Sequence, residues 1–263
     1  MGSSGGPARD GWNPGQYNRF RGERQQPFFD LIALIEARPG MRVADLGCGT
    51  GELTRVLHDR LPEADTTGVD SSAAMLADSA AFAAPRLRFV AGDIAEFAAE
   101  RPYDLIVSNA ALQWLPDHAA LFARLTRALA AGGQLAVQMP DNYEHPSHTV
   151  AAALAGEAPF REALGGFAIT RPVQTPEWYA KILHRLGFAR QHVRAQVYPH
   201  VLDSRDEVIE WVKGTLLTAY QRRLPADLWP AFLDRYRAAL LAELPDQHPF
   251  FYAFKRLLIW GGR

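Results

Sequence analysis

The sequence predicts an α/β fold: a seven-stranded, mostly parallel sheet with helices on both faces and a helical cap inserted between the last two strands. Three observations support this prediction. Short apolar runs alternate with helical stretches through the first half of the chain. The interiors of these runs are apolar on both faces, which is typical of a parallel sheet covered on both sides. In the second half, two amphipathic helical stripes precede the last predicted strand.

The first predicted element is a helix in ERQQPFFDLIALIEARPG, where Phe28, Leu31, Ile32 and Ile35 recur at helical spacing before Pro39. Five apolar runs follow and are predicted as strands: RVADLG, TTGVD, LRFVAGD, YDLIVSN and GQLAVQMP. The segments that follow them are predicted in order as a helix over 52–60, a helix over 72–81, a short turn, a helix over 118–130 and a long loop.

The second half begins with a predicted helix over 176–186 and a half-exposed strand over 189–201. Two helices then fill residues 203–245, and FYAFKRLLIWGGR is the closing strand. We therefore predict a core of residues 12–202 and 246–263, with residues 203–245 as a cap over the substrate site. Residues 1–11 are small, polar and glycine-rich, and we expect a disordered tail or an artificial remnant.

Composition limits the partners. The chain has 28 Lys and Arg against 29 Asp and Glu, so charge does not favour nucleic acid or an anionic membrane. Cys48 is the single cysteine, which excludes an intramolecular disulfide and favours the cytoplasm. No apolar stretch approaches the ~20 residues that span a bilayer. We expect a cytoplasmic monomer or weak homo-oligomer that acts on a small molecule.

The segment ADLGCGTGELTRVL contains the first candidate site. Gly47, Gly49 and Gly51 follow the first strand, where ligands of doubly wound sheets approach the backbone. A dinucleotide fingerprint would have a glycine at the sixth position, but Glu52 stands there, and an acid at a helix start disfavours a pyrophosphate. The spacing favours a ligand without phosphates over a nicotinamide cofactor. A tight turn with no ligand is the alternative.

Polar side chains at the ends of the next predicted strands extend this site. Asp70 ends the second strand, where its carboxylate could accept hydrogen bonds from a ribose diol or could cap the next helix. Asp93 ends the third strand and could receive an adenine amine, with Ile94 packing on the ring. Asn109 ends the fourth strand. Together with Asp45, these residues converge on one edge of the sheet.

These features resemble the class I S-adenosylmethionine-dependent methyltransferases, which implies a Rossmann-like sheet and S-adenosylmethionine as cofactor, with S-adenosylhomocysteine as product. By that resemblance Asp45, Gly47 and Gly49 hold the methionyl part, and Asp70 holds the ribose hydroxyls. Met75 or Ser71 contacts the ribose and the adenine edge, and Asp93 with Ile94 contacts the adenine. The cofactor contacts that we predict are Tyr17, Arg21, Asp45, Gly47, Gly49, Asp70, Ser71, Met75, Asp93, Ile94, Asn109 and Gln113.

A narrower resemblance runs from Trp12 to about Trp260. WNPGQYNRF, DLIVSNAALQWLPDH, GGQLAVQMPDNYEHPSH and EVIEWVKGT look like the trans-aconitate methyltransferase family. The resemblance implies transfer of a methyl group to a carboxylate of trans-aconitate or a related di- or tricarboxylate. Two positions depart from the family pattern: Thr218 and Ala219 stand in place of an Arg-Pro pair, and Tyr143 replaces a common tryptophan.

The implied chemistry requires little from side chains. A carboxylate is already ionised at neutral pH, so ester formation needs no general base, and alignment carries the catalysis. We therefore predict no catalytic side chain and no metal site. The substrate contacts that we predict are Trp114, Gln138, Asn142, His145, Trp211, Tyr220 and Arg235. Two alternatives stay open: another nucleophile (nitrogen, carbon or a different carboxylate), and a non-catalytic module that binds S-adenosylmethionine.

Overall fold

A computed structural model describes residues 21–169 and 171–263. Their backbone contacts divide them into two units. A sheet unit comprises residues 21–143, 171–201 and 251–263, and a helical unit comprises residues 144–169 and 202–250. No helix in the described ranges is long and apolar enough to cross a membrane.

The sheet has seven strands in the order β3-β2-β1-β4-β5-β7-β6, which confirms the predicted fold class. Strands β1 to β5 pair in parallel, and β5 pairs with β7 in antiparallel fashion. The strands are β1 (Arg42–Leu46), β2 (Asp65–Asp70), β3 (Leu87–Ala91), β4 (Tyr103–Asn109), β5 (Leu129–Pro140), β6 (Arg190–Leu202) and β7 (Phe250–Gly262).

One helix of the sheet unit precedes β1, and the others fall between its strands, as the alternating pattern predicts. They are α1 (Arg21–Ile32), α2 (Glu52–Arg60), α3 (Ala73–Ser79), α4 (His118–Arg127) and α7 (Pro176–Arg185). Polar residues begin three of them: Ser72, Asp117 and Thr175 accept hydrogen bonds from backbone N–H groups of the first turns of α3, α4 and α7. Short 3₁₀ turns cover Ala80–Phe82, Ile94–Glu96 and Leu112–Trp114.

Two apolar clusters cover the two faces of the sheet. Val43 and Leu105 belong to the cluster that includes Phe28 of α1, whereas their neighbours Ala44 and Ile106 belong to the cluster on the opposite face. Successive side chains of a strand point to opposite faces, so strands buried on both sides must be apolar at every position. This is the pattern in the sequence.

The order of the strands places the loop after β1 at the centre of the sheet. β1 lies between β2 and β4, so the chain proceeds in one direction from β1 to β3 and in the other from β4 onward. In an open α/β sheet, ligands bind beyond the carboxyl ends of the strands at this reversal. The ends of β2, β4 and β5 flank the same region.

The helical unit contains five helices within the described residues: α5 (Pro146–Ala155), α6 (Phe160–Ala163), α8 (Asp206–Lys213), α9 (Leu216–Gln221) and α10 (Leu228–Glu243). Phe160 and Tyr220 each pack a ring against Phe232 of α10. The Tyr236 hydroxyl donates to the Ser147 carbonyl at 2.9 Å. These contacts join the two parts of the chain that form the unit.

Two expectations about this part of the chain were wrong. The predicted long loop after β5 contains α5 and α6, because Pro146 suits the first helical position and His145 caps the helix through the Ser147 N–H. Residues 203–245 form three helices instead of two, since α8 ends at Gly214 before α9 begins. The predicted helical insertion between the last two strands is otherwise confirmed.

Candidate active site

The loop after β1 is held in a left-handed backbone conformation. The φ angles are +77° at Gly47, +56° at Gly49 and +80° at Gly51. Residues with a Cβ adopt this region at a cost of about 1–2 kcal/mol. The Gly47 and Cys48 N–H groups both donate to the Val69 carbonyl, at 2.8 and 3.1 Å, which joins the loop to β2.

The space around each glycine explains its role. A Cβ on Gly47 would lie 2.3 Å from the Ala111 Cβ, and a Cβ on Gly51 would lie 2.6 Å from Cζ of Phe89. These two glycines allow neighbouring elements to pack closely. A Cβ on Gly49 would meet no atom within 4 Å. Gly49 therefore presents bare backbone toward open space, where a ligand can lie against it.

Asp70, at the end of β2, holds this loop. Its Oδ2 accepts from the Gly49 N–H at 2.8 Å, and its Oδ1 accepts from the Ser72 N–H at 2.8 Å. The cap of α3 is Ser72, whose hydroxyl accepts from the Met75 N–H at 3.3 Å. Each carboxylate oxygen has a second acceptor position, so Asp70 can still accept from a diol.

Asp45 is a buried carboxylate in β1, two residues before Gly47, and 3% of its surface is exposed. Its Oδ2 accepts from the Thr54 hydroxyl at 2.6 Å. Burial raises the pKa of Asp45 to about 6, against the hydrogen bond from Thr54, and the Asp70 charge adds to the increase. Burial and the same two carboxylates raise the pKa of the Cys48 thiol, which is therefore protonated at neutral pH.

The end of β3 carries the candidates for the adenine ring. Asp93 is exposed, and its Oδ1 accepts from the Ala95 N–H at 2.7 Å. Ile94 is half-buried against the apolar cluster that contains Leu46 and Val69. Met75 is buried and Ser71 is exposed, both beyond the end of β2. Their proposed contacts with the ribose and adenine stay predictions.

The end of β4 is tied to the end of β1. The Ser108 hydroxyl donates to the Leu46 carbonyl at 2.7 Å. Gln113 is buried and donates through Nε2 to the Ala110 carbonyl at 2.7 Å. Within the described chain, Oδ1 of Asn109 and Oε1 of Gln113 are buried atoms that have no hydrogen-bond partner. Such atoms indicate a polar ligand, because buried acceptors are normally satisfied.

The other sequence-predicted contacts have varied environments. In the sheet unit, Trp114 is exposed, whereas Asn142 is buried and bonded to the Tyr252 hydroxyl and the Lys255 N–H. In the helical unit, Trp211 is buried, the Tyr220 hydroxyl accepts from the Ile169 N–H, and Arg235 pairs with Glu157. Tyr17 and the Arg21 side chain lie outside the described residues. Substrate contact stays a prediction for each.

The histidine pair after β5 is half-buried and uncharged at neutral pH. His145 Nδ1 accepts from the Ser147 N–H at 3.1 Å, and the Ser147 hydroxyl lies 3.1 Å from His148 Nδ1. Burial lowers the pKa of each histidine to about 4, and for His148 the neighbouring His145 lowers it further. Among the described residues, no group of three His, Cys, Asp or Glu side chains could hold a metal ion.

Sequence reasoning missed the support of Asp45 by Thr54. Thr54 is fully buried and lies nine positions after the acid, in the first turn of α2. A threonine near a helix start is common and predicts no particular partner. Its role becomes visible only when β1 and α2 are placed side by side.

The residues at this edge fit S-adenosylmethionine. The Gly49 backbone is open on one side. The negative charges of the Asp45 and Asp70 carboxylates favour a cationic ligand beside this loop. Asp70 retains acceptor positions for hydroxyl groups, and the end of β4 supplies unpaired acceptors.

Comparisons with known proteins identify the class to which the chain belongs. Residues 43–133 match the family described as "Methyltransferase domain". A solved S-adenosylmethionine-dependent methyltransferase from Mesorhizobium loti has a similar fold, with a TM-score of 0.54 at 21% identity. The match covers 93% of this chain and 100% of that one. The fold and the site together define a methyltransferase that uses S-adenosylmethionine.

Two curated relatives place the chain within this class. The trans-aconitate 2-methyltransferase of Deinococcus radiodurans is 48% identical over 96% of this chain and 98% of its own length. The protein of the same name from Variovorax paradoxus is 43% identical over 86% of this chain and 87% of its own. The chain belongs to the trans-aconitate 2-methyltransferase family, as the sequence motifs predicted.

The two glycines should respond differently to alanine. Gly47→Ala should lower the melting temperature by several degrees, because its Cβ would collide with Ala111 and the positive φ would be strained. Gly49→Ala should lose less stability but bind S-adenosylhomocysteine at least tenfold more weakly, since its Cβ would occupy the open space. Thermal denaturation and calorimetric titration measure the two effects. Wild-type affinity in Gly49→Ala would show that no ligand lies there.

Asp70→Ala should weaken binding of S-adenosylhomocysteine by about 1.5–3 kcal/mol, the usual range for hydrogen bonds to a charged group. The substitution removes the acceptor for the Gly49 N–H as well as the acceptor positions for a ribose diol. Asp59→Ala is a matched control, because that exposed carboxylate pairs with Arg55 on the surface of α2. Equal affinities for wild type and Asp70→Ala would contradict the site.

Cofactor binding should become stronger as the pH rises from 5 to 7. A carboxyl with a pKa of about 6 is mostly protonated at pH 5, and a cationic ligand favours its ionised form. We expect up to about a tenfold gain in affinity, with release of a proton at pH 5.5. Titrations in buffers of different ionisation enthalpy count the protons. Asp45→Asn should abolish the pH dependence, and an unchanged dependence in this variant would assign it to another group.

Proposed function

We propose that this protein transfers a methyl group from S-adenosylmethionine to a carboxylate of trans-aconitate and so forms a methyl ester. One observation carries the proposal: a relative named for this activity is 48% identical over nearly the full length of both chains. The similarity to this relative covers 96% of the chain, whereas the family model for methyltransferase domains matches only residues 43–133. Related di- and tricarboxylates are the nearest alternative substrates.

The proposed reaction needs positioning more than proton transfer. When bound, S-adenosylmethionine supplies a methyl group on a positively charged sulfur, which an ionised carboxylate can accept without losing a proton. Gly49 and Asp70 would hold the cofactor against the end of β1. Alignment of the reacting groups can contribute roughly 7–11 kcal/mol to the lowering of the barrier. No side chain is assigned as a general base.

His145 and His148 are weak bases, because burial lowers the pKa of each to about 4. A nitrogen or hydroxyl acceptor would need a base with a pKa near neutral pH, which neither histidine provides.

Several expectations from the sequence accompany this proposal. We propose that the protein acts in the cytoplasm as a monomer or weak homo-oligomer, on a small molecule and not on nucleic acid. We also propose that residues 203–245 act as a cap over the substrate site and contribute Trp211, Tyr220 and Arg235. Light scattering would test the oligomeric state, and single substitutions of the three residues would test their effect on KM.

Incubation with labelled S-adenosylmethionine and a panel of acids and amines should give a labelled product with trans-aconitate. The product should release methanol in mild base, because methyl esters hydrolyse there and methylated amines do not. Mass spectrometry would identify the ester, and kcat/KM would rank the acids. The Asp70→Ala variant serves as the control with weakened cofactor binding. A base-stable product, or no preference for trans-aconitate over the other acids, would contradict the proposal.

A further inference from the structure

The amide of Gln138, near the end of β5, is buried without a partner. Only 1% of the residue is exposed. Neither Nε2 nor Oε1 forms a hydrogen bond within the described residues. An unpaired buried amide destabilises a folded protein by about 1–3 kcal/mol for each unsatisfied group. A side chain of this kind indicates a polar partner outside the described residues.

The register of the sheet places Gln138 at a defined position relative to the glycine loop. Gln138 pairs with Asn109 of β4, two residues beyond the pair formed by Val107 and Ala136. Val107 in turn pairs with Asp45 of β1, two residues before Gly47. Neighbouring strands are about 4.8 Å apart. Asn109 is therefore one strand, and Gln138 two strands, from the end of β1.

The same register places the side chains of Asp45, Asn109 and Gln138 on one face of the sheet. Residues paired across neighbouring parallel strands point to the same side of the sheet, as do residues two positions apart in one strand. Val107 and Ala136 belong to the apolar cluster on the α1 face, so Asn109 and Gln138 point to that face. The Ala110 N–H donates to the Gln138 carbonyl at 2.9 Å and fixes the two strand ends together.

We propose that Gln138 binds the acceptor carboxylate, with its Nε2 donating to one carboxylate oxygen. The inference rests on the proposed function and specifies which residue selects the acceptor. Gln138 lies about 10 Å from the line of β1. It is therefore too far to contact a group that lies on Gly49, but it can reach a small acid bound beside that group.

An amide suits this reaction better than a cation. A carboxylate held by arginine is neutralised, and its oxygens become poorer nucleophiles. An amide donor orients one oxygen and leaves the other as the nucleophile. The ester product has lost that negative charge, and an amide donor is not left behind as an unpaired cation when the product forms.

The chain offers a matched control in Gln134, on the same strand and the same face. Gln134 is equally buried, but its amide is satisfied. Its Nε2 donates to the Glu36 carbonyl at 2.8 Å, and its Oε1 accepts from the Glu36 N–H and from Trp260 Nε1. Gln134 therefore represents a structural glutamine, whereas the amide of Gln138 has no bond to lose among the residues that the structure describes.

The test compares Gln138→Leu with Gln134→Leu. Gln138→Leu should raise the KM for trans-aconitate by about tenfold to hundredfold, leave the Kd for S-adenosylhomocysteine within twofold, and keep or raise the melting temperature. Gln134→Leu should lower the melting temperature by several degrees and leave KM unchanged. A lower melting temperature with wild-type KM in Gln138→Leu would overturn the proposal, because it would assign Gln138 to the core.

A second variant gives a signature that packing cannot produce. Gln138→Glu places an ionisable acid beside the acceptor, so its KM should exceed the wild-type value more at pH 8 than at pH 6. At the lower pH the buried acid is protonated and again offers a donor. Equal effects at both pH values would count against binding of an anion.

Failure of the inference can be told apart from failure of the proposed function. If the wild-type enzyme esterifies another acid from the panel instead of trans-aconitate, the same comparison is made with that acid. A raised KM in Gln138→Leu would then support binding by Gln138, and a wild-type KM would overturn it. If the enzyme methylates only amines or carbon acids, both proposals are wrong.

Discussion

The site depends on the hydrogen bonds of the Asp70 carboxylate. Three glycines with positive φ would sample many conformations in a free loop, and their ordering opposes folding. Asp70 accepts from the Gly49 N–H in this loop and from the Ser72 N–H at the start of α3. Hydrogen bonds to a charged acceptor are worth about 1.5–3 kcal/mol each, enough to offset much of that ordering. One side chain therefore fixes the ends of β1 and β2 together before any ligand arrives, which reduces the entropy lost on binding.

The polar groups near the strand ends differ along the sheet edge. Asp45, Asp70 and Asp93 lie at or near the ends of β1 to β3, whereas Asn109 and Gln138 lie near the ends of β4 and β5. Asp141 directly follows β5, and its charge is paired with Arg171. The proposed reaction joins a cationic donor to an anionic acceptor, and both lose their charge. Carboxylates on the donor side favour the cation, but an unpaired carboxylate on the acceptor side would repel the acid. The amide of Gln138 avoids that repulsion.

Local patterns predicted most of the sheet unit, and the alternation of strands and helices predicted its mostly parallel pairing but not the order of its strands. The glycine loop was found because its signal is local. The support of Asp45 by Thr54 and the pairing of Asp70 with the Gly49 backbone depend on distant segments, so the sequence could not indicate them. The unpaired amide of Gln138 is harder still to predict from the sequence, because it depends on every residue that surrounds the side chain. The helical stripe that contains Tyr220 shows another limit of sequence reasoning. The same spacing of apolar residues fits both a substrate contact and a core residue, so it cannot distinguish them.

The unsatisfied amides oppose folding, and their persistence needs an explanation. Asn109, Gln113 and Gln138 together bury four polar side-chain atoms that lack partners within the described chain. Replacement of Gln138 by an apolar residue of similar shape would be neutral or stabilising. The structure tolerates the loss because β4 and β5 are otherwise well supported, with apolar neighbours on both faces and a fully bonded Gln134 farther down the strand. A well-packed sheet whose end carries these amides is prepared to bind a polar molecule. Catalysis by alignment requires a rigid site, because no side chain is assigned to move a proton.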